Sequence, residues 1–107
     1  MAEADQAIRL RHYTRKSGKD RILQEGIILA KDQHKVFAEP ASHKPLSPRL
    51  AEAKFLLKRG KGNAYVEFDA QPDELSQQTN RLTGATELFL QGDVELSERN
   101  PEGFDNR

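Results

Sequence analysis

Apolar and polar residues alternate over the opening segment. Ile8, Leu10 and His12 fall on one side and Arg9, Arg11 and Tyr13 on the other, which predicts a strand with one face inward. Ser17 then caps a short helix read from KDRILQEG, closed by Gly26, with Ile22 and Leu23 toward the core. Two short apolar runs follow, IILA at 27–30 and HKVFAE at 34–39, the second ended by Pro40. Prolines 40, 45 and 48 mark a loop, after which Ser47 caps a second helix with Pro48 in its first turn. Leu50, Ala53, Leu56 and Leu57 repeat at helical spacing, Lys58 and Arg59 suit the negative helix end, and Gly60 and Gly62 stop it. NAYVEFD at 63–69 alternates as a strand, with Tyr65, Glu67 and Asp69 on one face and Val66 and Phe68 on the other. A polar loop containing Pro72 and Gly84 leads into ATELFLQGDVELS, where Leu88 and Leu90 oppose Glu87 and Phe89 and Gly92-Asp93 breaks or bulges the strand. Beyond Glu98 the periodicity is lost.

This order lacks the regular strand–helix alternation of a doubly wound parallel sheet. It predicts a small α+β fold: a split or curved, mainly antiparallel sheet with two helices. Residues 8–97 form the single domain, residues 1–7 a flexible edge, and residues 98–107 a tail whose Phe104 tucks back. At 107 residues there is room for one core and no second domain.

Charge sharpens the picture. Lys and Arg total 17 and so do Asp and Glu, yet residues 1–62 hold 14 basic against 7 acidic side chains and residues 63–107 hold 3 against 10. The halves should attract each other, and a basic first half suits phosphates. With no cysteine there is no disulfide and no thiolate chemistry. No run is long enough for a membrane span or shaped like a signal segment, so a soluble domain with no membrane insertion is expected.

Candidate chemistry is sparse. His12, His34 and His43 show no metal-ligand spacing, so no metal site is expected, and Gly60-Lys61-Gly62 lacks the pattern of a phosphate-binding loop. The end of the first strand sets an imidazole, His12, beside two hydroxyls, Tyr13 and Thr14. A strand-end His can bond a ribose hydroxyl, Tyr13 or Phe37 offers a flat apolar face, and a strand carboxylate, Glu87, can stabilise positive charge at a sugar C1. Cleavage of an N-glycosidic bond needs that combination. A metal-independent ribonuclease is the second reading, with His12 or His34 as base, Lys35, Arg59 or Lys61 against the phosphorane, and Thr86 or Tyr65 on the phosphate. A non-catalytic binding module is the third.

LRHYT, followed by a polar turn, a short helix and Gly-Ile-Ile, resembles the start of H-Y-D-signature ADP-ribosyltransferase toxin domains, the C-terminal warheads of bacterial polymorphic toxins. The resemblance is best over residues 10–30 and continues loosely through 35–39 and TELFLQGDVELS. It implies NAD as substrate and an ADP-ribosyltransferase-like fold. By that resemblance His12 grips the NAD ribose, Phe37 stacks nicotinamide and Glu87 directs transfer. Tyr13 and Thr14 beside His12 are further cofactor candidates, and the basic Arg11 and Lys16 near the strand end are candidates for the diphosphate. The acceptor would be a protein, a nucleic acid or water. A cognate immunity protein, an upstream delivery polypeptide and entry into a target-cell cytoplasm also follow from the resemblance. The sequence departs from the pattern in three places: Phe37 stands for a Tyr, Glu39 for an Asp motif, and Ala85 occupies the first position of Glu-x-Glu.

Overall fold

A computed structural model describes residues 6–106. Eight strands and two helices run in the order β1 Ile8–Thr14, α1 Lys16–Glu25, β2 Ile27–Ile28, β3 Lys35–Pro40, α2 Pro48–Phe55, β4 Ala64–Ala70, β5 Ser76–Thr79, β6 Thr86–Gln91, β7 Val94–Glu95 and β8 Glu102–Asp105. Six strands form one sheet in the order β5-β6-β3-β1-β4-β8, and β2 pairs with β7 in a small second one. Every pairing is antiparallel. The fold is therefore α+β, with two helices and a split, antiparallel sheet. No helix among the described residues is long and apolar enough to cross a membrane.

The split lies between β1 and β3. β1 pairs with β4 along its whole length, from Ile8↔Ala70 to Thr14↔Ala64, but with β3 only at Leu10↔Pro40 and Arg11↔Glu39. Beyond that rung the strands separate, and His12 is the first residue in the gap.

Apolar side chains cover the sheet on both faces. Leu10, Val36, Ala38, Val66, Phe68 and Leu90 meet Ile28, Val94 and Leu96 of the β2–β7 region on one side. On the other, Tyr13 and Tyr65 pack under Ala51 of α2, with Leu46, Phe55 and Leu57 around them. β1 is thus a central strand buried on both faces, not the one-sided strand its alternation predicts. Arg11 is the price of that position, only 2% exposed, and it is tolerated because Glu39 and Glu67 neutralise it.

Several local expectations change. α1 begins at Lys16 with Arg15 as its N-cap and no side-chain cap bond, so Ser17 lies inside the helix, while Gly26 at φ 73° closes it as expected. Ile22 packs on the core, whereas Leu23 lies over Gly103 of edge strand β8 and stays 40% exposed. Ser47 and Pro48 do start α2, with Ser47 Oγ accepting from Leu50 N–H. Its inward residues are Ala51 and Phe55; Leu50 and Leu56 are 59% and 55% exposed. Lys58 and Arg59 lie past the helix end at Phe55.

The loop expected around residues 72–84 holds a 3-10 turn, Pro72–Glu74, and edge strand β5. The expected tail supplies the other edge, β8, whose Phe104 stacks on Tyr65 at 5.2 Å. Both segments are polar because each edge strand has little apolar surface to bury. Of the expected flexible edge at 1–7, residues 1–5 lie outside the described residues. The opposite charges of the halves meet in ion pairs: Arg9 with Asp69 and Glu102, Arg11 with Glu67, and Lys19 with Asp105.

Candidate active site

The gap between β1 and β3 opens into a cleft of about 380 Å³, within the ordinary size of a small-molecule site. β1 contributes His12, Tyr13 and Thr14, β3 contributes Lys35 and Phe37, and α1 forms a wall with Gly18, Ile22 and Glu25 on one face. Glycine at 18 matters here, since a Cβ would collide with the Thr14 hydroxyl. The helix start can therefore close down on the strand end.

His12 bridges the gap. Its Nδ1 lies 2.8 Å from the carbonyl oxygen of Phe37, which can only accept, so Nδ1 carries the proton. Burial pushes the imidazole below its ordinary value; the Phe37 bond opposes this, and the nearby Lys61 charge adds to it. The ring is accordingly neutral at neutral pH, with a lone pair on Nε2. That nitrogen has no partner among the described residues, yet no buried side-chain nitrogen or oxygen there lacks one. Nε2 is therefore open to the cleft as a hydrogen-bond acceptor.

Five cations line the cleft, Arg15, Arg21, Lys31, Lys35 and Lys61, against two acids, Glu25 and Asp32. The signal available in the sequence was the basic first half; which of its cations converge depends on the turn after β1 and on the segment between β2 and β3. In that segment Gln33 and His34 both adopt left-handed backbone, φ 60° and 59°, a conformation uncommon without glycine. Lys35 N–H bonds back to Asp32 carbonyl across them, and this tight reversal puts Asp32 and Lys35 on the cleft.

The other site candidates separate. Arg11 is absent from the cleft, its guanidinium being taken by Glu39, Glu67 and the carbonyls of Ala41 and His43. That burial leaves the Arg11 guanidinium off the cleft where a diphosphate was expected to meet it, and Lys16 is exposed and likewise not on the cleft. Tyr13 borders the cleft, but its ring packs under α2 and its hydroxyl donates to Glu39 and accepts from Leu46 N–H. Burial first, and the Glu39 bond second, push that phenol up to about 12. It is a structural proton donor.

Glu87 does not enter the His12 cleft. It lines a smaller recess with Glu39, Lys54, Thr86 and Phe55, and Phe55 also lines the cleft. The two spaces share Phe55, but strand alternation sets Phe37 and Glu87 on the α2 face of the sheet and His12 on the α1 face, so the cleft reaches both sides only through the gap between β1 and β3. Phe37 pairs with Phe89, ring centroids 6.0 Å apart, and Glu87 lies two residues from Phe89 on the same face. The ribonuclease set is scattered: His12, Lys35 and Lys61 line the cleft, Thr86 the recess, Tyr65 is buried against Phe104, and His34 and Arg59 are exposed elsewhere.

A family model described as HYD1 signature containing ADP-ribosyltransferase matches residues 10–98. No curated protein and no solved structure matches the chain.

Proposed function

This chain belongs to the HYD1 signature containing ADP-ribosyltransferases, and on that premise we propose that it cleaves the nicotinamide–ribose bond of NAD and passes ADP-ribose to an acceptor nucleophile or to water. The observation that carries the reading is the neutral His12 with Nε2 open to a cation-lined cleft. Nε2 accepts a hydrogen bond from a hydroxyl of the nicotinamide ribose. The α1 start, with Arg15 and Arg21 beside it, attracts the diphosphate, since a helix N-terminus and guanidinium groups both favour anions. Phe37 supplies the flat wall for nicotinamide.

When the bond from nicotinamide nitrogen to ribose C1′ breaks, its electron pair leaves with neutral nicotinamide and positive charge develops on the sugar. Glu87, approached past Phe55, stabilises that charge. The acceptor then adds its lone pair to C1′ and gives up a proton. Domains of this kind act as toxins, so a polypeptide that delivers this one into a target cell and an immunity protein that blocks its cation-lined cleft belong to the same reading.

Purified protein incubated with NAD should release nicotinamide, and His12→Ala and Glu87→Gln should each reduce release by roughly 100-fold or more. Asp32→Asn and Glu25→Gln should retain it. Loss of activity in Asp32→Asn with Glu87→Gln intact would move the carboxylate into the His12 cleft. Cleavage of total RNA without nicotinamide release would overturn the reading.

A further inference from the structure

We propose that Gln78 is a positioning residue that ties the cleft to the carboxylate of Glu87, an inference that rests on the NAD reading above. Gln78 lies directly across from Glu87 in the β5–β6 ladder. Its Nε2 donates to Glu87 Oε1 at 3.0 Å, and its Oε1 accepts from the Lys35 ammonium. Asn80 Nδ2 holds the other carboxylate oxygen, Oε2, at 3.1 Å. Both Glu87 oxygens are thereby fixed from one strand and the turn that follows it.

The amide suits this place because it carries a donor and an acceptor at one end of the side chain. The reversed orientation would set its oxygen against the carboxylate and its NH₂ against the ammonium, so the two charges determine which way it points. Lys35 lines the cleft and lies 4.5 Å from the Phe89 ring centre, while Phe89 in turn packs on Phe37. The chain Lys35–Gln78–Glu87 therefore runs from the wall of the cleft to the recess. A second observation sets Gln78 apart. In β5, Ser76, Gln77 and Thr79 are exposed and Gln78 alone is half-buried. The strand's one inward side chain is thus polar, and its bonds go to the proposed catalytic group.

Charged neighbours of Glu87 include Glu39 and Lys54, which share its recess, and Lys35 through the amide. Replacing Gln78 alters how Glu87 is held without touching NAD. Gln78→Met, of similar size and without polar atoms, should lower kcat for nicotinamide release about 10- to 100-fold and leave KM for NAD within about twofold. Gln78→Glu keeps a partner for Lys35 but sets a second carboxylate against Glu87. Its kcat should fall at least as far as that of Gln78→Met, with KM again within about twofold, because the Glu87 carboxylate loses its amide donor and faces a like charge. A merely structural residue would move the melting temperature instead.

The Gln78 side-chain NH₂ resonances give a readout independent of turnover. They should move when Glu87 is replaced in Glu87→Gln or Lys35 in Lys35→Met, since both hold the amide. An active wild type whose Gln78→Met variant turns over unchanged, or Gln78 resonances indifferent to both replacements, would overturn the inference. A wild type that releases no nicotinamide while those resonances respond would overturn the NAD reading instead.

Discussion

Arg11 and Glu39 face each other across the last rung before β1 and β3 part, with Arg11 Nη1 2.8 Å from Glu39 Oε2. Tyr13 hydroxyl donates to the same oxygen and Lys54 ammonium lies 3.2 Å from the other. One carboxylate therefore gathers β1, β3 and α2 at the apex of the cleft. His12 follows Arg11 in sequence and Phe37 lies two residues from Glu39, so both inherit their places from this buried pair.

Removing Glu39 strands a guanidinium that is 2% exposed, and Glu67 alone cannot replace it. Breaking a buried ion pair from one side typically costs about 3–5 kcal/mol. Glu39→Ala should destabilise the protein by about that much in urea unfolding monitored by circular dichroism. A loss below about 1 kcal/mol would mean the apex is held by other contacts.

Burial holds the His12 imidazole below its ordinary value of 6.5. A histidine depressed on folding contributes stability that is complete above the unfolded value and declines as pH falls through the folded one. Nicotinamide release should follow the same direction, constant near neutrality and falling only below about pH 6.5 as Nε2 takes a proton. Proton NMR titration of the His12 ring, set beside the kcat/KM profile, checks both. A midpoint above 6.5 would contradict the assignment of a neutral, accepting imidazole.

The residues that form the centre of the sheet announced themselves. Alternation in IRLRHYT, AYVEFD and TELFL and the short apolar run HKVFAE located β1, β4, β6 and β3, and with them the strand carrying His12. The edges did not, because SQQT and EGFD bury almost nothing and alternation is a signal of burial. Arg11 was misread for the complementary reason. A buried arginine looks like an exposed one until Glu39 and Glu67, 28 and 56 positions away, are known to converge on it. The separation of Glu87 from His12 follows from the register that sets them on opposite sheet faces, and Phe55, between the two spaces, was hidden in α2 behind Leu50 and Leu56, which face solvent.

Gly62 offers a test of how α2 is fixed. A Cβ there would meet the backbone of Pro48, its carbonyl oxygen foremost, and backbone cannot rotate away as a side chain can. Gly62 N–H also donates to Glu52, as does Gly60 N–H, so the turn after the helix folds back onto it. Gly62→Ala should cost about 1–3 kcal/mol, the usual range for overpacking, and displace neighbouring Lys61 from the cleft. Thermal unfolding and KM for NAD should move together; an unchanged melting temperature would show that the turn has slack.

Glu74 and Arg99 form the second strong ion pair, remote from the cleft. Arg99 Nη1 and Nη2 reach the two Glu74 oxygens at 2.9 and 2.7 Å, and Gln71 N–H donates to the first. The Arg99 bond first, aided by Gln71 and the guanidinium charge against the opposing effect of burial, holds the carboxyl down at about 2 against an ordinary 4.5. A carboxylate depressed on folding stabilises fully above its unfolded value and loses that contribution as pH falls toward the folded one. The window therefore runs from 4.5 down to about 2. Such a depression would correspond to roughly 3 kcal/mol for a fully buried group, but Glu74 is about a third exposed and water screens it, leaving about 1–2 kcal/mol. Glu74→Gln should lose that amount at pH 7, and the gap to wild type should narrow steadily in urea unfolding at pH 4 and pH 3. Nicotinamide release at pH 7 should be unaffected, since neither residue lines the cleft. A gap that stays constant with pH would show that the pair acts through packing and not through charge.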